Sequence, residues 1–144
     1  MIKTKTLVCK SLSDDMSGVK LVETQIEEPK DNEILIKVKA ASVNFPDLLM
    51  TQGKYQHKPE LPFGLGMEGS GIVQSGGSEV YRIKEGDEVT FGALGKGAFT
   101  EFICVNQNSV EIKPSNLNFE QAAAFQTAYL TAYVLSLIHI SEPT

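Results

Sequence analysis

Four polar side chains between residues 44 and 68, Asn44, Asp47, Tyr55 and Glu68, carry groups that could do chemistry or organise loops. Tyr55 follows Gly53 in a polar loop, so its hydroxyl can reach a cleft. A phenol there can donate a hydrogen bond, or a proton, to oxygen developing negative charge. The alternative is a loop aromatic that lids the core. Asn44 lies in a loop before a Pro and an Asp, where an amide can also serve to satisfy local backbone groups. Asp47 and Glu68 are carboxylates that can cap and organise loops, Asp47 by closing the start of a helical turn. His57, between Gln56 and Lys58, reads as an exposed loop residue. Thr131 falls inside an expected helix, where its hydroxyl can bond a carbonyl one turn earlier. Cys9 and Cys104 match no metal or disulfide spacing and read as small buried hydrophobes.

The elements that must carry these groups are mostly short strands separated by Gly, Pro, Asn and Asp. Residues 2–9 and 19–26 alternate, with a turn between them. The clearest strand is 33–43, with Ile34, Ile36, Val38 and Ala40 on one face and Lys37 and Lys39 on the other. Residues 46–52 allow only a short helical turn before Gly53. Strands are expected over 68–74, 88–91 and 98–105, the second fed by a tight turn at 84–87. Six or seven strands at this spacing suggest a small, strongly bent barrel. Pro114 ends the β region. Asn118, Phe119, Glu120 and Gln121 form a candidate capping box for a helix whose body is 122–134. The glycines at 64, 66, 69 and 71 do not form a dinucleotide fingerprint, because they lead into Ile72 and Val73 rather than a helix. They are suited to close backbone approach in a barrel strand.

A chain of 144 residues with 42% apolar and 22% charged residues is an ordinary globular composition. The net charge of −5 and the lack of a basic stripe argue against nucleic acid and anionic membrane as partners. No apolar run approaches the roughly 20 residues needed to span a bilayer. The N-terminus lacks the apolar centre of a secretory signal. A reducing, cytoplasmic setting fits the two unpaired cysteines.

Seven motifs occur along the chain: Asn44-Phe45-Pro46-Asp47, Gly53-Lys54-Tyr55, Leu61-Pro62-Phe63-Gly64, Gly66-Met67-Glu68-Gly69-Ser70-Gly71, Gly86-Asp87-Glu88-Val89, Gly97-Ala98-Phe99-Thr100-Glu101 and Tyr129-Leu130-Thr131-Ala132-Tyr133. In this order they resemble the zinc-free, quinone-oxidoreductase-like branch of the medium-chain dehydrogenase/reductase superfamily, over residues 1 to about 134. The resemblance implies a mainly β fold: a GroES-like barrel over 1–117, then a helix over 118–134 leading to a Rossmann domain missing from this chain. Asn44, Met67 and Thr127 stand where the zinc-dependent relatives carry their catalytic metal ligands. An amide, a thioether and a hydroxyl are poor replacements for thiolate and imidazole. The structural-zinc run of four cysteines is also absent, so no zinc is expected.

By the same resemblance the intact protein reduces a quinone or another α,β-unsaturated carbonyl by hydride transfer from NADPH, which the Rossmann domain would mainly bind. Asn44 and Tyr55 are the implied catalytic residues, and Asn44 and Thr131 the implied contacts to the nicotinamide. The chain alone is expected to be inactive, and homo-oligomers are expected only at full length. Two alternatives stay open: a stand-alone GroES-like binding module, and an enoyl-thioester reductase of the same superfamily. Residues 135–144 resemble the translation of a transposon-type sequencing-library adapter, and are expected to be a non-native tail.

Overall fold

The computed structural model describes residues 1–125. Eight antiparallel strands form two sheets. In the smaller sheet β1 (Ile2–Cys9) lies between β2 (Val19–Ile26) and the two-residue β4 (Phe63–Gly64). The larger has the order β7 (Phe102–Asn106), β3 (Glu33–Ala41), β5 (Glu68–Gly76), β6 (Glu88–Gly92), β8 (Val110–Ile112). Residues 97–101 tie the sheets together. Leu7 donates to the Phe99 carbonyl at 2.8 Å, Glu101 donates to Lys5 at 3.1 Å, and Thr6 pairs with Thr100. Two sheets joined in this way form the mainly β, GroES-like architecture expected from the sequence.

Two apolar clusters hold the fold. One is built from the inward faces of the five-stranded sheet, with Ile34, Ile36, Val89, Phe91 and Val110 fully buried. The other gathers Cys9, Met50, Phe63 and Leu65 beneath the short helix α1 (Phe45–Gln52). At roughly 1.5–3 kcal/mol per fully buried aliphatic or aromatic side chain, these clusters supply the main driving force for the fold.

The glycines of β5 do what the residue pattern suggests. A Cβ on Gly71 would lie 2.2 Å from the Lys37 carbonyl oxygen, and one on Gly69 would lie 2.8 Å from both the Ala40 oxygen and the Phe91 ring. The β3–β5 register shifts between Val38 and Ala40, opposite these glycines. The close approach therefore bends the pair where it carries β3 toward the site.

Several boundaries differ from expectation. The helical turn is an eight-residue helix, because Pro46 fits its first turn and Gly53 closes it at φ 71°. The strand expected over 98–105 begins only at Phe102, since Phe99 and Glu101 bond across to β1 and Ala98 and Phe99 also donate to the Gly66 and Leu65 carbonyls. The strand expected to reach Val43 ends at Ala41, before the α1 cap. The capping box at Asn118 is present: Gln121 donates to the Asn118 side chain at 2.8 Å, and its own side chain accepts from Asn118 at 3.0 Å. It opens α2 (Phe119–Ala124), which packs on β5 and β3. The expected helix body beyond residue 125 and the tail over 135–144 lie outside the described residues.

Candidate active site

The site is built where β3 ends and α1 begins. Asn44 is the α1 N-cap, with extended backbone at φ −118° and ψ 156°. The carboxylate of Asp47, three residues on, accepts from the Asn44 N–H at 2.8 Å and from the Gly66 N–H at 3.2 Å. It thereby fastens the start of α1 to the segment entering β5. Gly66 is required there: its φ is +100°, and a Cβ would meet the Phe99 nitrogen and ring at 2.8 Å. Asp47 is 4% exposed. Burial pushes its carboxyl above the usual range, two backbone N–H bonds oppose that rise, and the nearby Glu68 adds to it.

Beside this anchor runs a hydrogen-bond chain. The Asn44 Nδ2 donates to Ser42 Oγ at 3.2 Å, and Ser42 Oγ donates to Glu68 Oε1 at 2.7 Å. Glu68, the first residue of β5, is 2% exposed. The Asn44 side chain is also turned toward the Asp47 N–H in capping-box fashion, without a strict cap hydrogen bond. Val43 and Phe45, on either side of Asn44, are 80% and 69% exposed and give the site an apolar rim.

The sequence-predicted residues are not all brought together. Asn44, Asp47 and Glu68 converge, with Asp47 organising the start of α1 as the capping-box partner of Asn44. Tyr55 follows the Gly53 C-cap of α1. Its ring is half-buried against the cluster of Cys9, Met50, Phe63 and Leu65. His57 is exposed, as expected. Cys9 is fully buried and Cys104 half-buried. Thr127 and Thr131 lie outside the described residues.

Ser42 is the participant that residue-by-residue reading passes over. The available signal is its spacing, because residues two apart in extended backbone share a face. A cavity of about 390 Å³ opens elsewhere, between the sheets, lined among others by Thr6, Ile26, Lys96 and Cys104. Neither Asn44 nor Tyr55 contributes to it.

The donors at the metal-ligand positions do not fit zinc. Asn44 offers an amide whose nitrogen is engaged by Ser42, and Met67 offers a thioether. Among the described residues no group of three or more His, Cys, Asp or Glu could hold a metal ion.

Residues 30–115 match the alcohol dehydrogenase GroES-like domain. The chain belongs to that family. Within it, the chain is similar to the quinone oxidoreductase of Sus scrofa, with 37% identity over 117 residues covering 81% of this chain and 35% of that protein. It is similar also to quinone oxidoreductase 1 of Escherichia coli, with 40% identity over 114 residues covering 79% of this chain and 35% of that one. The crystal structure of Escherichia coli quinone oxidoreductase complexed with NADPH superposes with a TM-score of 0.77 at 34% identity, over 92% of this chain and 40% of that chain. These relatives place the GroES-like domain in the medium-chain dehydrogenase/reductase superfamily. The chain spans about a third of the length of the curated relatives it matches. No helix among the described residues is long and apolar enough to cross a membrane.

Proposed function

We propose that the full-length protein is a zinc-independent, NADPH-dependent oxidoreductase that reduces quinones or other α,β-unsaturated carbonyls. The observation that carries this reading is the held amide of Asn44. It stands at a metal-ligand position of the superfamily, yet Ser42, Glu68 and the start of α1 fix it as a hydrogen-bonding group. The names and identities of the quinone oxidoreductase relatives support the substrate class.

When bound, NADPH supplies the hydride, and a Rossmann domain beyond the GroES-like part holds most of it. This chain supplies the opposite wall of the cleft. Asn44 orients the carbonyl and nicotinamide, Tyr55 adds a phenolic donor at the far end of α1, and Thr131 braces the nicotinamide. The exposed apolar rim of Val43 and Phe45 suits a flat, poorly hydrated substrate. With no zinc as Lewis acid, fixed hydrogen-bond donors must stabilise charge on the substrate oxygen. The chain alone binds NADPH weakly and is inactive, and oligomers form at full length, in the cytoplasm.

The test is NADPH oxidation by the full-length product with a benzoquinone, an enone and an enoyl thioester in parallel. Turnover of the quinone or enone supports the reading. Turnover of the thioester alone replaces it with an enoyl reductase, and no turnover of any leaves a binding module.

A further inference from the structure

We propose that Glu68, acting through Ser42, decides which edge of the Asn44 carboxamide faces the ligand, so that Asn44 meets it as a donor. Glu68 and Ser42 are then positioning residues, and the ligand group is an acceptor: a carbonyl oxygen. The proposal rests on the reading of the cleft given above.

Donor and acceptor capacity sets the direction of the chain. A serine hydroxyl has one proton and two lone pairs. Ser42 gives that proton to Glu68 at 2.7 Å, so it has only lone pairs left for Asn44. Asn44 must then present its nitrogen rather than its oxygen, as the 3.2 Å contact to Nδ2 shows. The same orientation turns the carboxamide oxygen toward the Asp47 N–H at the start of α1. What remains is the second Nδ2 hydrogen, a donor. Had Ser42 donated to Asn44 instead, the amide would be reversed and the cleft would face an acceptor, which repels a carbonyl oxygen.

Glu68 is suited to this task because it is 2% exposed and cannot swing to solvent. Its Ser42 contact bridges the last turn of chain before α1 and the first residue of β5, 26 positions apart. A carboxylate, which only accepts, forces the direction of the whole chain. A glutamine at 68 could donate through its own amide, releasing the Ser42 proton toward Asn44.

Two measurements test this. In the ¹⁵N-labelled 144-residue chain, the Asn44 carboxamide is assigned by its loss in N44A. Its two hydrogens are then followed by exchange. One hydrogen protected in wild type and in S42T, but unprotected in S42A and altered in E68Q, is the expected result. Carboxamide signals unchanged in both S42A and E68Q overturn the proposal, whatever the enzyme does.

In the full-length protein, S42A and E68Q are expected to lower kcat with a quinone by about tenfold or more, with S42T close to wild type. The KM for NADPH is expected to stay within about twofold of wild type. A rise in that KM with kcat unchanged contradicts the donor role toward the substrate. If wild type shows no quinone-dependent turnover, the functional reading fails and the exchange data alone decide the proposal.

Discussion

Replacing Asp47 with asparagine tests the anchor on which the site is built. The carboxylate accepts from two backbone donors, Asn44 N–H and Gly66 N–H, at 2.8 and 3.2 Å, in a position 4% exposed. A carboxamide of the same shape has one oxygen. One N–H then faces an NH₂ group and loses its partner, at about 1–3 kcal/mol, and the surviving bond drops from charge-assisted to neutral strength, about 1 kcal/mol more. Burial outweighs those bonds for the charged form, so relief of the buried charge offsets the charge-assisted part and the net loss is about 1–3 kcal/mol. For a domain of this size that lowers Tm by roughly 3–12 °C. Urea denaturation of the two chains measures it, and a change below about 0.5 kcal/mol refutes the anchoring role.

The same pair gives a pH test. Asp47 has a folded pKa above its ordinary value, mainly through burial. From the ordinary value of 3.8 up to the folded value, the native chain holds more proton than the unfolded one. Stability from this group is therefore fully present below 3.8 and falls as pH rises through that window. The stability advantage of wild type over D47N should shrink as pH rises from 3.8 through the raised folded value, by roughly the linkage of one group. An advantage that grows with pH would mean that the two N–H bonds outweigh burial.

Three further outcomes are expected. Gly71→Ala places a methyl 2.2 Å from the Lys37 carbonyl oxygen, a backbone atom that cannot swing aside, and should cost about 2 kcal/mol or more by denaturation. A neutral result would show that the β3–β5 approach is soft. Cys104 has a thiol pushed up to about 11 by burial and by the Glu33 carboxylate. Its alkylation by iodoacetamide should be slow at about pH 7.5 and still be rising at about pH 10, and rapid labelling at neutral pH would contradict this. Lys113, 8% exposed, donates to the Leu117 and Pro114 carbonyls, pairs with Glu88 at 3.2 Å and lies over the Phe119 ring. K113M should destabilise by about 2–3 kcal/mol and raise amide exchange in α2 more than in β5. Equal effects in both elements would show that Lys113 does not tie α2 down.

How much of the fold is legible in the sequence depends on whether the cause is local. Strands β1, β2 and β5 can be located because alternation and turn residues are local signals. The Asn118 capping box can be read because its partners lie three residues apart. The β5 glycines can be assigned to close approach because Ile72 and Val73, rather than a helix, come next in the chain. Residues 98–101 read as strand because their alternation is real, but their hydrogen bonds are split between Lys5 and Leu7, more than ninety positions away, and Leu65, Gly66 and Val38. No local pattern reports that pairing. The two-residue β4 escapes for the same reason, since it exists only through its pairing with Val8 and Cys9.

The site divides in the same way. Asn44 and Asp47 stand out by type and spacing around Pro46, and the structure joins them. Tyr55 has a suitable chemical group, but residue type does not show that it packs against the cluster of Cys9, Met50, Phe63 and Leu65. Ser42 is unremarkable until Glu68, 26 positions later, is brought to 2.7 Å.

The most direct test of zinc-free quinone reduction at Asn44 is NADPH oxidation with a benzoquinone by the full-length protein, before and after exhaustive dialysis against a chelator. Quinone-dependent turnover that survives chelation unchanged and falls by about tenfold or more in N44A is the predicted result. Turnover lost on chelation and restored by zinc, or equal in wild type and N44A, would contradict it.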